Sequence, residues 1–343
     1  MKPQYFLIGL ALLTLFFLLE LFSPFLKAML VALLLTMATS SLYSYAQKKI
    51  KIASLTSLLL SLLIAVIFFV PLVYFIISIA SFLSNIDQTL ILHLYNTLKD
   101  FIANVPDKYL PVKHQLILLL GKVNVSDLMQ NLVSLGGYLG KNSASFVIDM
   151  MMILVFYFFI NYYLEQISNF VKEILPIKIR DGQKLFKESS NVMSLVLYSI
   201  LATAIFEGIL FGILMSFFSS DALLLGILYG FASLVPVIGG MIMWAPIAGL
   251  ELYHGHTSSA IIIVAYSVII ISVIADTFIK PMIIKYINTK IIKAPTQLNE
   301  LLIFFSIIAG LSTFGFWGMI IGPSLVTFFI SILELLKKYT HKD

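Results

Sequence analysis

Cysteine is absent from this sequence, and charge is scarce. With no cysteine there are no disulfides, thiolate nucleophiles or cysteine-ligated metals. Charged residues make up 11% of the chain, against about 25% in globular proteins. Hydrophobic residues make up 60%, against about 45–50%. A soluble protein of 343 residues could not cover its surface with so few charges, so most of the chain must face lipid or other apolar helices. Arg180 is the one arginine, and the sequence pI of about 9.1 comes almost wholly from lysine. In a membrane protein that excess argues for cytoplasmic loops near anionic lipid rather than for nucleic acid. Gly-x-Ser-x-Gly, His-Glu-x-x-His and Gly-x-x-x-x-Gly-Lys are all missing, which leaves hydrolysis and ATP use without machinery. No enzyme activity, cofactor or catalytic residue is expected.

What is present reads as an all-α polytopic membrane protein. Tyr5–Phe22, Phe25–Tyr45 and Leu55–Leu83 are apolar enough to span. No small-x-small cleavage site follows the first of these, so it is taken as a retained helix. Phe82, Ile86, Leu90, Leu94, Leu98, Phe101 and Val105 recur at three and four, which predicts that the third span continues as an amphipathic helix. The polar stretch 85–145 holds five lysines and four aspartates and reads as a small helical extramembrane segment, with a helix start at Asn124–Asp127. A span over 146–164 follows, then a linker over 165–191 with a surface helix in it. Residues 192–343 form the remaining core, with full spans over Val192–Phe218 and Ser259–Ile279.

Two segments of this core are broken. Residues 222–252 contain Pro236, Gly239 and Gly240, and 14 residues from Ala222 to Val235 reach only about 21 Å of a roughly 30 Å apolar core. Residues 300–336 are interrupted at Thr313–Gly318, which includes Gly315 and Gly318, and again at Pro323. The lysines arbitrate topology. If both segments are re-entrant hairpins, Lys280, Lys285, Lys290 and Lys293 lie on the same side as Lys2, Lys48, Lys49 and Lys51, as the positive-inside rule prefers. The expectation is about six full spans plus two hairpins, with both termini in the cytoplasm. Lys27, near an outer end, is the exception and can snorkel. Broken helices entering from opposite faces are how transporters build a midplane binding site; two proline-kinked packing helices are the plainer alternative.

These residues also carry a resemblance. Ala222-Leu-Leu-Leu-Gly226, Pro236-x-x-Gly239-Gly240, Trp244-x-Pro246, Asp276 with Lys280-Pro281, Gly310, Gly315-x-x-Gly318 and Gly322-Pro323 resemble the signature of the autoinducer-2 exporter family, the PerM-like permeases. Tyr157–Pro176 resembles that family's fourth span and linker. The resemblance implies a transporter of the bacterial cytoplasmic membrane that forms a homo-oligomer, a pentamer in some readings. It implies either export of a small solute such as the autoinducer-2 signal or sodium- or lithium-for-proton antiport. Members often carry a neutral amide near Glu207, so a carboxyl there departs from the pattern.

Among candidate residues, Glu207 stands well inside a span, where a carboxylate costs about 2.5–3.5 kcal/mol and is usually kept for a reason. It suits binding a cation or exchanging a proton; a protonated acid hydrogen-bonded between helices is the alternative. Asp276 precedes Lys280 at i,i+4, so a structural ion pair competes with ligand contact. Glu300 opens the second hairpin, where capping outweighs binding. His254 and His256 lack a third ligand of fixed spacing, and no metal is expected. Gly208-x-x-x-Gly212, Gly226-x-x-x-Gly230 and Gly318-x-x-x-Gly322 permit close helix approach and read as internal packing. The ligand set expected is thus Glu207, Asp276, Pro236, Gly239, Gly240, Glu300, Gly315 and Gly318, serving a small solute, a monovalent cation or a proton. Two other classes stay open: an intramembrane enzyme acting through Glu207 and Asp276, and a membrane scaffold acting through residues 85–145.

Overall fold

The computed structural model describes residues 3–104, 113–174, 179–218, 221–234, 239–292 and 300–340. Helices are the only regular elements among them. They are α1 Pro3–Phe22, α2 Leu26–Ala38, α3 Ser40–Ile50, α4 Ala53–Ser84, α5 Gln88–Asn104, α6 Lys113–Gly121, α7 Val125–Tyr162, α8 Leu164–Ile174, α9 Ile179–Met215, α10 Ala222–Ala232, α11 Gly239–Tyr253, α12 Thr257–Ile292, α13 Glu300–Phe314 and α14 Gly318–Thr340. Among the described residues, five helices (α1, α4, α7, α9 and α12) are long and apolar enough to cross a membrane, or six if the bent pair α2–α3 is one span. The chain is an all-α polytopic membrane protein.

Several helices outrun the spans read from hydropathy. α7 carries the fourth span back to Val125, and α12 carries the 259–279 span on to Ile292. Nothing in the flanking polar sequence forbids a helix, so the helix ends and the membrane boundary need not coincide. The expected continuation of the third span fails. α4 stops at Ser84, where the Asn85 side chain bonds Ser81 O at 2.9 Å, and Asp87 opens α5 by accepting from Thr89 N–H at 2.9 Å. That N–H also holds the Asp87 carboxyl below the usual carboxylate range. The start at Asn124 is as expected, with Ser126 N–H donating to Asn124 Oδ1 at 3.0 Å. Pro323 does not interrupt α14, contrary to the sequence reading. Pro71 and Pro281 each follow a π-helical stretch, Ala65–Phe69 and Tyr266–Ile279. A proline removes one N–H from the ladder and its ring crowds the preceding turn, which a wider turn accommodates.

The chain divides into two compact units. The first comprises Met1–Ile67, Ile148–Ser199 and Ile284–Asp343. Its interior is rich in uncharged polar groups: Thr36, Thr39, Asn161, Ser190, Ser194, Ser324 and Thr327 are all buried. Thr36, Thr39, Asn161, Ser190 and Ser194 gather around a 68° bend between α2 and α3. Ser190 and Ser194, one turn apart on α9, donate to Met37 O and Ala38 O, both at 2.6 Å. Thr39 spends its own proton on Leu35 O at 2.8 Å, so the buried Tyr157 hydroxyl donates to Thr39 Oγ1 at 2.7 Å. Buried carbonyls left unpaired cost about 1–3 kcal/mol each. Ser190→Ala with Ser194→Ala is therefore expected to lower the thermal unfolding midpoint by several degrees more than serine-to-alanine changes at exposed positions such as Ser134 and Ser145, measured on the detergent-solubilised protein. In the same unit Lys27 pairs with Asp149 at 2.8 Å, which accounts for the lysine that topology left isolated. α13 and α14 run back along each other, so tightly that Gly310 and Gly322 face the backbone of Gly318 and Ser306 respectively.

The second unit comprises Phe68–Val147 and Ile200–Ile283. Its organising contact is a crossing of α9 and α10 through the two glycine motifs. A Cβ on Gly208 would lie 2.6 Å from Gly226 O, and one on Gly230 would lie 2.5 Å from Ala204 O. These positions pack inside the chain, as their spacing suggests. α10 has 11 residues, about 16 Å of helix, too short to cross alone. The first turn of α11 returns against its last turn, with Gly239 facing the Ala232 backbone. On the polar side α5 seats Leu94 over Gly249 and the His93 ring edge-on against Tyr253 at 5.4 Å.

Candidate functional site

The glycine crossing determines what surrounds Glu207. With no side chains between the helices, the α10 backbone presses onto α9 beside Gly208, and Glu207 is left only 5% exposed. One turn further along α9, Phe211 stacks on Tyr229 of α10, ring centroids 4.3 Å apart. The Ser233 hydroxyl, just past the end of α10, stands beside the Glu207 carboxyl. α12 supplies the rest. Its π-helical stretch carries Asp276, and the next residue after that stretch is Lys280.

Lys280 joins the two acids. Its ammonium donates to Asp276 Oδ1 at 3.2 Å and to Glu207 Oε1 at 3.4 Å. The i,i+4 pair read from the sequence is therefore present, and it is only half of the arrangement. Asp276 and Lys280 are partly exposed, at 44% and 38% of their side chains, whereas Glu207 is enclosed. One ammonium faces two carboxylates. With all three ionised the cluster carries one uncompensated negative charge, which is costly in apolar surroundings. It becomes neutral by taking up one proton or one monovalent cation.

The remaining predicted residues are distributed as follows. Gly240 belongs to the same unit, and a Cβ added there would come within 2.5 Å of the Tyr229 hydroxyl oxygen; Gly239 packs on Ala232. Pro236 lies outside the described residues. Gly315, Gly318 and Glu300 belong to the other unit. Gly315 has φ +65° in the turn between α13 and α14, Gly318 is filled in by the Gly310 backbone, and Glu300 begins α13. His256 Nδ1 meets Glu251 at 3.0 Å, and no group of three His, Asp or Glu side chains among the described residues could hold a metal. Sequence reasoning missed the long-range bond from Lys280 to Glu207, 73 residues apart, and the place of Tyr229. A lysine so close to the apolar run 259–279 was the available signal, because such a cation needs an acid partner.

Residues 5–338 match the family described as AI-2E family transporter. The chain belongs to the AI-2E transporter family. It is 36% identical over 339 residues to a Helicobacter pylori strain J99 protein with a provisional transport-protein name, covering 99% of this chain and 97% of the relative. A counterpart in strain 26695 is 35% identical over the same shares. A similarly named Aquifex aeolicus protein is 24% identical over 320 residues, 87% of this chain and 86% of its own. No solved structure gives a significant match. In this AI-2E family transporter the three charged side chains lie within the portion that the family covers, and so do the glycines that bring α9 and α10 together.

Proposed function

We propose that this AI-2E family transporter moves a small solute out of the cell by exchange against a proton or monovalent-cation gradient. The solute is a signal molecule of the autoinducer-2 type, and the exchange runs through Glu207, Lys280 and Asp276. The observation that carries the coupling is the sharing of one lysine by two carboxylates. When Glu207 holds a proton, Lys280 and Asp276 form a neutral pair. When it releases the proton, the cluster takes up a cation to regain neutrality. The charge state of the cluster thus follows the ion gradient, which gives a solute-moving step something to couple to. The family name supports the solute. The family resemblance supports a homo-oligomer in the bacterial cytoplasmic membrane, and the lysine distribution supports placing both termini inside.

Sodium- or lithium-for-proton antiport is the second reading, favoured by the same pair of carboxylates, since hard oxygen ligands suit small hard cations. One experiment separates the two: flux into proteoliposomes against a panel of solutes, with sodium and proton gradients imposed separately. Solute accumulation driven by either gradient supports export. Proton movement on addition of sodium or lithium with no solute present supports antiport. Flux that ignores both gradients contradicts ion coupling.

A further inference from the structure

The 68° bend between α2 and α3 has an unusual cause. Sharp kinks come from proline, glycine, a π-helical turn or a side chain set into the hydrogen-bond ladder. No proline or glycine stands between Phe25 and Ile50, and neither helix contains a π-helical stretch. The fourth cause is present. In a continuous helix Met37 O and Ala38 O would accept from the N–H groups four residues on, those of Ser41 and Leu42. Two hydroxyls of α9 reach these carbonyls, Ser190 and Ser194, each at 2.6 Å. Since Ser190 gives its proton to Met37 O, Ser40 of α3 donates to Ser190 Oγ, also at 2.6 Å. The corner itself is a single residue. Thr39 lies at φ −101°, ψ 7°, in the sparsely allowed bridge region, and rotations of about 40° and 50° bring it to helical values.

We infer that α2–α3 is a hinge with two arrangements, bent while Ser190 and Ser194 hold Met37 O and Ala38 O, and straight when they let go. The exchange conserves hydrogen bonds. On release the two carbonyls accept from Ser41 and Leu42 N–H, and the serines turn to the carbonyls four residues back on α9, those of Phe186 and Ser190. Tyr157 of α7, whose hydroxyl meets Thr39 at 2.7 Å, marks the pivot. A transporter needs an element with two discrete arrangements. Bent, α2 offers 13 residues, about 20 Å of helix, short of a roughly 30 Å apolar core. Straight, Leu26–Ile50 is one helix of 25 residues, about 37 Å, which spans that core. The inference uses neither the Glu207 cluster nor the identity of the solute.

The test is a distance measured by pulsed electron paramagnetic resonance on the full-length protein in lipid nanodiscs. The chain has no cysteine, so spin labels attach only at Leu26→Cys and Lys48→Cys, exposed positions on the two arms. From the helix rise and the bend, these positions are about 28 Å apart when bent and about 33 Å when straight. With the serines intact the main peak is expected at the shorter distance. Ser190→Ala with Ser194→Ala should move most of the population to a second peak about 5 Å longer. The contacts that α3 makes when bent are not recovered, so this variant is straighter and also less stable. Ser44→Ala, which removes a hydroxyl that donates to Ser40 O within α3, should change nothing. Should the double variant aggregate, Ser194→Ala alone decides, by the appearance of the longer peak. An unchanged single peak would show that packing fixes the bend, and broadening without a second peak would show a loosened contact instead of a hinge. Either result overturns the inference.

Discussion

Replacing Lys280 with methionine is expected to destabilise the protein by about 3 kcal/mol, the lower end of what removing one partner of a buried ion pair costs. The lower end applies because Lys280 and Asp276 are partly exposed. The reason for the loss is that Glu207 and Asp276 then face each other with no cation between them, one of the two enclosed. Methionine keeps the length and apolar stem of lysine, so packing is nearly preserved and the effect reports the charge. Lys280→Arg, which restores a cation, should recover most of the stability without restoring transport to the wild-type level, since a planar guanidinium does not reproduce a compact ammonium. Removing both acids, as Glu207→Gln with Asp276→Asn, should cost less when added to Lys280→Met than in the wild-type background. Thermal unfolding in detergent measures all of these. Equal costs in both backgrounds would show that Lys280 acts on something other than the two carboxylates.

Gly318→Leu is expected to have a comparable effect for a purely steric reason. Even the first side-chain carbon at position 318 would overlap the Gly310 carbonyl and crowd Leu311 N. Backbone cannot yield as a side-chain tip can, so the cost is about 3 kcal/mol, the upper end of what overpacking usually costs, and the variant should be lost during expression or run as aggregate in size-exclusion chromatography. Gly137 is the control. Nothing lies within 4 Å of its added Cβ, and Gly137→Ala should be neutral or slightly stabilising in the α7 helix. From the sequence, Gly239→Leu and Gly318→Leu are expected to abolish transport while sparing assembly. The structure favours the loss of assembly as well. At both positions the space is filled by the protein's own backbone, Ala232 in one case and Gly310 in the other.

How much of this was legible depended on whether the deciding interaction was local. The apolar runs marked the spans because a bilayer demands some 20 apolar residues wherever a helix crosses it. The α10–α11 break was visible because Pro236 and Gly239-Gly240 act on their own backbone, and the Asp276–Lys280 pair because it sits at i,i+4. The glycine motifs signalled close packing, although their pairing of α9 with α10 came from the fold. The bend at Thr39 was illegible. It contains neither proline nor glycine, and the hydroxyls that satisfy its carbonyls come from Ser190 and Ser194, more than 150 residues along the chain. The bond between Lys280 and Glu207 was hidden for the same reason. Tyr229 was hidden differently, since within an apolar stretch an aromatic reads as lipid-facing or core until its hydroxyl is placed.

The central claim is that Glu207 couples transport to an ion gradient, and uphill flux tests it most directly. Proteoliposomes containing wild type or Glu207→Gln are given an autoinducer-2 type solute at equal concentration on both sides, and a proton gradient is imposed, then a sodium gradient in a separate run. Wild type should build a solute gradient that collapses when the ion gradient is dissipated. Glu207→Gln keeps the shape and hydrogen bonding of the side chain but has no ionisable proton, so it should build none, while still equilibrating solute supplied on one side only. Accumulation by Glu207→Gln to the wild-type level, with the same dependence on pH, would contradict the account.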